Sequence, residues 1–248
     1  MSTSPEVQAR LDEYWSGRAP EYDAYQQRPE RAALDRAEWG AAFSAALPPA
    51  PADVLDVGTG SGYVAFLLAS LGHRVTATDH AEGMLSIART RAEDLRRRGE
   101  LAPTIVAGDA VAPDFPEASF DAITSRYLLW TLREPDAALQ DWRRLLRPGG
   151  VLIAVDSTWF PDGIDPAATD GAHGDDEGAF ARAYHSGVRA ALPLAEARSI
   201  DAAADRVRAA GFRDVTVTPL EAIHALDLEH GVAPGHEVQM QYLVRGRA

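Results

Sequence analysis

The spacing of apolar positions changes several times along the chain, and each change marks an element. Near the start Val7, Leu11, Tyr14 and Trp15 share one helical face, and Leu34, Ala37, Trp39, Ala41, Ala42 and Phe43 form a second amphipathic stretch. Residues from about 5 to 47 are therefore predicted to be helical. Between these stretches Ala19-Pro20-Glu21-Tyr22-Asp23-Ala24-Tyr25 is rich in aromatics and lacks clean periodicity. Pro48-Pro49-Ala50-Pro51 breaks the pattern, and a short apolar run begins near Asp53. A regular alternation follows. The pattern predicts strands over 53–57, 74–78, 104–107, 120–124 and 151–155, with helices over 63–71, 81–98 and 135–146. Gly72 and Gly99 stop the first two of those helices, and Arg147-Pro148-Gly149-Gly150 reads as a turn after the third. The alternation is interrupted over 157–198. There 160–178 reads as a Gly-, Asp- and Pro-rich loop, and 179–192 as a helix carrying Phe180, Tyr184 and Val188 on one face. A helix over 201–210 and strands over 214–219 and 238–244 close the chain.

Strands alternating with helices imply right-handed crossovers and a Rossmann-like, doubly wound α/β fold with a mostly parallel sheet. Such sheets bind ligands at the carboxyl ends of their strands, near the switch point. Asp79, Asp109, Ser125 and Asp156 all fall at predicted strand ends, which points to one shared site. The chain reads as a single domain: a helical cap over 1–50, a core over 51–156, an inserted lid over 157–198 and a completion of the sheet over 199–248.

Composition narrows the chemistry. Among 248 residues there is no cysteine, lysine or asparagine, which excludes disulfides, thiol nucleophiles, Schiff bases and a Walker lysine. The formal net charge is −13, with no basic footprint of the kind nucleic-acid binding needs. A small-molecule substrate is expected and a nucleic-acid one is not. The first residues lack a basic region followed by an apolar core, and no apolar run is long enough to cross a bilayer. The expectation is a soluble, cytoplasmic protein with no membrane partner.

The first strand runs into Asp56-Val57-Gly58-Thr59-Gly60-Ser61-Gly62. A dinucleotide fingerprint spaces its glycines Gly-x-Gly-x-x-Gly. Here the third glycine comes one residue early, and Asp56 would meet a pyrophosphate unfavourably. A ligand with a cationic amino group and no phosphate suits that acid, and Asp79 can accept from both hydroxyls of a ribose. A nucleoside carrying an amino acid, S-adenosylmethionine, meets both requirements. The stretch 54–62, Asp79, Gly108-Asp109, Phe120-Asp121-Ala122-Ile123 and the stretch 146–152 resemble, in order, the motifs of class I S-adenosylmethionine-dependent methyltransferases. The chain is most similar to their small-molecule branch, the ubiquinone/menaquinone-biosynthesis type and its relatives in secondary metabolism.

The resemblance implies a seven-stranded sheet with an antiparallel last strand, and a set of roles. Asp56, Gly58, Thr59 and Gly60 would hold the methionine end of the cofactor, and Gly62 would admit close packing. Asp79 would take the ribose, with His80 and Met84 flanking the adenine. Asp109, with Ala110 beside it, would accept from the adenine amino group. Ser125 would lie near the methionine moiety, and Tyr22 would reach the cofactor carboxylate. For the acceptor, Tyr127, Trp130 and Trp159 are large aromatics near strand ends, and 124–130 lacks the Pro-Pro-Tyr element of nucleobase or amide N-methylating enzymes. Tyr127, His173 and His185 are candidate catalytic groups, with His224 a further option. His173 with Asp175, Asp176 and Glu177 could form a metal cluster, but such loops are usually only solvated, so no metal is expected. The expected reaction is methyl transfer to O or N of a metabolite, with carbon open. The alternatives are a homologue that uses the cofactor structurally or for non-methyl chemistry such as cyclisation, and a nicotinamide-dependent oxidoreductase.

Overall fold

A computed structural model describes residues 4–163, 179–180, 182–232 and 237–248. Seven strands form one sheet: β1 (Asp53–Val57), β2 (Arg74–Asp79), β3 (Thr104–Ala107), β4 (Phe120–Arg126), β5 (Leu146–Ser157), β6 (Arg213–Pro219) and β7 (Gln241–Arg247). Their order is β3-β2-β1-β4-β5-β7-β6. The first five pair in parallel, and β7 runs antiparallel between β5 and β6. The expected doubly wound sheet and its reversed last strand are both present. The chain leaves β1 in one direction for β2 and β3, and in the other for β4 and β5. The switch point therefore lies between the carboxyl ends of β1 and β4.

Helices α3 (Tyr63–Ser70), α4 (Glu82–Arg97), α5 (Pro135–Leu145), α7 (Asp201–Ala209) and α8 (Glu221–His230) cover the sheet, and α6 (Ser186–Arg189) is a single turn in the inserted segment. The central strands carry apolar side chains on both faces because both faces are packed. Val54, Leu55, Val57, Ala122, Ile123, Leu152, Ile153 and Ala154 have no contact with solvent. At the amino ends of the strands, two of the sequence motifs meet. Arg147 binds Asp121 at 2.7 Å and Asp53 at 3.0 Å, while the Asp121 carboxylate accepts the Asp53 N–H at 2.8 Å. These residues lock β1, β4 and β5 on the side away from the site.

The structure departs from the pattern in five places. Helix α1 (Ser4–Gln26) runs unbroken through the aromatic stretch and through Pro20. Proline has no N–H for the carbonyl four residues back, which belongs to Ser16. That carbonyl faces Gly83 of α4, where a Cβ would sit 2.4 Å from the oxygen, and the Gly83 N–H donates to Ser16 Oγ at 3.2 Å. The break in helical bonding thus becomes the place where α1 docks on α4. The predicted turn at 147–150 is absorbed into β5 as an irregularity, with pairing shifting between Phe120↔Leu146 and Ala122↔Val151. The helix expected over 179–192 is broken at Tyr184-His185, leaving α6. Helix α8 occupies a connection with no clear periodicity, and β7 starts three residues later than expected.

After α1, helix α2 (Pro29–Ala46) packs Trp39 and Phe43 against α3 and the sheet. The described part of the insertion packs on α1. Val7 and Leu11 meet Ala183, Tyr184, Val188 and Leu192, and Trp130 joins them from the end of β4. Trp15 Nε1 donates to the Tyr184 hydroxyl at 3.1 Å.

Candidate cofactor and acceptor site

Two adjoining cavities open at the carboxyl end of the sheet. The first is lined by Tyr22, Asp56, Gly58, Thr59, Gly60, Asp79, His80, Met84, Asp109 and Ala110. These are ten of the twelve residues expected to hold the cofactor. Gly58 and Gly60 have φ of +68° and +58°, a conformation that side chains disfavour, and a Cβ on Gly58 would come within 2.8 Å of Leu128. Gly62 lies outside the wall; it lets the Phe66 ring pack where a Cβ would be 2.5 Å away. Ser125 also lies outside it, with its hydroxyl buried and unpartnered among the described residues.

Two carboxylates organise this cavity. The side chain of Asp56 is buried; Oδ1 accepts from Thr124 Oγ1 at 2.6 Å, and Oδ2 has no partner among the described residues. Burial raises its pKa to about 6, against the opposing pull of the Thr124 hydrogen bond. A buried acid with one bare oxygen fits a cationic ligand group. Asp79 ends β2 and holds the glycine loop, accepting from Gly60 N–H at 2.7 Å and from Ala81 N–H at 2.9 Å. Burial raises its pKa and these backbone bonds oppose the rise. Each oxygen keeps a second lone pair for a diol.

The outer wall comes from α1 and the loop after β3. His80 Nδ1 is 2.7 Å from Asp12 on α1 and is half exposed, while Met84 is buried with Ala19 and Ala81. Asp109 accepts from Val111 N–H at 2.9 Å and lies 3.3 Å from Arg133. Tyr22 meets Trp15 edge-on, with centroids 5.8 Å apart.

Tyr22, Arg126, Tyr127 and Trp159 line both cavities. Tyr127 sits just past β4 with φ +60°, strained for a large side chain, and its N–H donates to Val155 O at 2.8 Å. Its hydroxyl donates to Gln241, whose amide donates to Asp227 at 2.7 Å. Asp227 pairs with Arg31 at 2.6 Å, and Arg31 with Asp35 at 2.9 Å. Burial holds the Tyr127 hydroxyl well above its ordinary pKa. In this arrangement the phenol is a hydrogen-bond donor to Gln241. Asp156, at the end of β5, accepts from Trp159 Nε1 at 2.5 Å and from the N–H groups of Trp130 at 3.1 Å and Ser157 at 2.9 Å. Its pKa is raised to about 6 by burial. Its role here is to orient Trp130 and Trp159; it does not line either cavity.

The histidine candidates do not gather at the site. His185 caps α6, its Nδ1 accepting from Gly187 N–H at 3.1 Å, and neither cavity wall includes it. His224 lies on α8, also off both walls. His173 and its acidic neighbours lie outside the described residues, among which no metal-binding cluster occurs. Sequence reading passed over Arg126, Trp39, Tyr63 and Gln241, all on the second cavity. No local signal marked Arg126, because β4 reads Phe-Asp-Ala-Ile-Thr-Ser-Arg and is already polar before it.

The first cavity lies at the switch point of a Rossmann-like sheet, the place where sheets of this kind bind their ligands. Residues 55–154 match the family profile described as a methyltransferase domain. A demethylmenaquinone methyltransferase of Thermus thermophilus is 36% identical over 124 residues, 49% of this chain and 54% of the relative. A ubiquinone/menaquinone biosynthesis C-methyltransferase of Methylobacterium nodulans is 34% identical over 157 residues, 61% of this chain and 60% of the relative. A Thermotoga maritima S-adenosylmethionine-dependent methyltransferase, described as a possible histamine N-methyltransferase, shares the fold. It is 18% identical with TM-score 0.58, covering 95% of this chain and 98% of that one. The chain spans about half the length of the curated relatives it matches. Over residues 55–154 the chain carries a methyltransferase domain, and it is similar there to S-adenosylmethionine-dependent methyltransferases of the small-molecule branch, whose cofactor is S-adenosylmethionine.

Proposed function

We propose that this protein transfers the methyl group of S-adenosylmethionine to a small ring-bearing metabolite of secondary metabolism, acting as a soluble cytoplasmic enzyme. The observation that carries the reading is the bare Oδ2 of buried Asp56, on the same cavity wall as the glycine loop and Asp79. Asp56 suits the ammonium of the methionine end, and Asp79 suits the ribose hydroxyls. Asp109 lies where it can meet the adenine, and Tyr22 approaches from α1. Among the described residues no helix is long and apolar enough to cross a membrane.

The reaction breaks the methyl–sulfur bond as the acceptor's lone pair forms a new bond to carbon, leaving S-adenosylhomocysteine as a neutral thioether. The protein's contribution is positioning and exclusion of water by Tyr127, Trp130 and Trp159. We place the new bond on oxygen or nitrogen. A second reading, transfer to carbon, is favoured by the C-methyltransferase named among the relatives. Calorimetry with S-adenosylhomocysteine tests the cofactor assignment, and micromolar binding is expected. Incubation with methyl-labelled cofactor and a panel of phenols, amines and enolised diketones tests the reaction. Label in a product with equimolar S-adenosylhomocysteine supports it, and the labelled atom decides between heteroatom and carbon. Product formed without S-adenosylhomocysteine would replace it with non-methyl chemistry.

A further inference from the structure

Arg126 closes β4 beside the switch point and lines both cavities, at the boundary between them. Its guanidinium carbon lies 5.2 Å from the Trp39 ring centroid, 4.6 Å from Tyr63 and 4.7 Å from Tyr127. Among the described residues no carboxylate is within ion-pair distance of it. Three acids share the second cavity. Asp35 and Asp227 are bound by Arg31 at 2.9 and 2.6 Å, and Glu237 makes no ion pair with Arg126. Arginine does not lose its proton, so the cation is permanent. Aromatic rings replace part of the water around a guanidinium, while its N–H groups still call for oxygen acceptors. A partly desolvated cation of this kind is costly alone and favours an anion that enters with its own apolar body.

We propose that Arg126 receives a planar oxyanion, a carboxylate or an enolate, carried by the methyl acceptor on a ring that packs between Tyr127 and Trp159. The proposal rests on the methyltransferase reading. The second cavity is then the acceptor chamber, and Arg126 sets its preference for acidic over neutral molecules. The one competing anion in the site is the carboxylate of the cofactor itself, and the experiment separates the two.

The probes are 2-naphthoate and 2-naphthamide, matched in shape and differing in charge, titrated by calorimetry into the full chain saturated with S-adenosylhomocysteine. Naphthoate is expected to bind on the order of tenfold more tightly or better. Arg126→Met should erase that preference while affinity for naphthamide and for S-adenosylhomocysteine stays within about twofold. Arg126→Lys, which keeps the charge and loses the planar fork, should show an intermediate preference. If Arg126→Met does not fold, as judged by its melting curve, Arg126→Lys decides, by weakened preference with S-adenosylhomocysteine binding intact. Equal binding of both probes, binding of neither, or a preference that survives in the folded variants overturns the proposal. A fall in S-adenosylhomocysteine affinity of about tenfold in Arg126→Met also overturns it, assigning Arg126 to the cofactor carboxylate. Failure of the unaltered protein to bind S-adenosylhomocysteine would instead overturn the methyltransferase reading.

Discussion

The two cavities are built in different ways. The cofactor side is made by consecutive backbone: a strand end, a glycine loop with three residues at positive φ, and a carboxylate at the next strand end that takes backbone N–H groups. The acceptor side is made by side chains from α1, α2, the end of β4, α8 and β7, which meet only in the folded chain. One half is local in sequence and rigid. The other depends on how distant elements dock. The two should respond differently to substitution.

The sharpest way to break the contrast is Asp79→Ala. It removes the acceptor we propose for two ribose hydroxyls and frees the Gly60 N–H, so on that reading two charge-assisted contacts and the loop's anchor are lost together. Each such bond contributes about 1.5–3 kcal/mol. Affinity for S-adenosylhomocysteine should fall by two orders of magnitude or more in a calorimetric titration. A change smaller than fivefold would show that the strand-end acid does not organise the cofactor side.

Gly83→Ala should come next, and it probes docking. A Cβ there meets the Ser16 carbonyl at 2.4 Å, so α1 must move off α4 and carry Tyr22 and Asp12 away from the cavity. Overpacking of this kind costs about 1–3 kcal/mol. The melting temperature and cofactor affinity should both drop. Gly17→Ala, on α1, meets nothing within 4 Å and should be neutral or stabilising by up to about 1 kcal/mol. Equal effects of the two substitutions would remove the docking argument.

This difference also explains what was legible in the sequence. The sheet, its switch point and most of the cofactor wall follow from apolar runs, glycines and strand-end acids that are neighbours in the chain. Asp121 and Arg147 were legible as motifs, and the structure gives them a bracing role far from the site. Helix α1 was obscured because Pro20 hides a break that only Gly83 makes useful. Arg126 and Gln241 carried no local signal, since Arg126 meets Trp39 and Tyr63 from 87 and 63 positions away and Gln241 pairs with Asp227, 14 positions away. Tyr127 drew attention by type, yet its role as a donor is set by Gln241, 114 positions on.

pH separates the halves through Asp56. Its carboxyl is raised to about 6 in the folded protein, above its ordinary 3.8, so the free protein binds that proton more readily than the unfolded chain does. Stability from this group is therefore gained as pH falls through about 6 and lost above it, and Asp156, also raised to about 6, adds in the same direction. Cofactor binding has the opposite sign, because the ammonium needs the ionised carboxylate. From pH 7 to 5 the free protein should melt at the same or higher temperature. Over that range S-adenosylhomocysteine affinity should weaken, approaching about tenfold per pH unit below 6. Asp56→Asn should bind weakly with no such slope. A slope that persists in Asp56→Asn would place the titrating group elsewhere.

The smallest effect is expected from Tyr127→Phe, and it is the most informative about the acceptor side. If Tyr127 were the proton acceptor, losing its hydroxyl would cost orders of magnitude in turnover. Its hydroxyl instead stays protonated and donates to Gln241 in a chain that runs on through Asp227 to Arg31. The ring, held at φ +60° against Trp159 with centroids 5.0 Å apart, is what the cavity uses, and phenylalanine supplies it. One neutral hydrogen bond contributes about 1 kcal/mol, so melting should shift by a few degrees and labelled-methyl turnover by less than about tenfold. Tyr127→Ala removes the ring from both cavities and one face from Arg126, and should lose far more than the hydroxyl alone. A phenylalanine variant as inactive as the alanine variant would return Tyr127 to proton transfer.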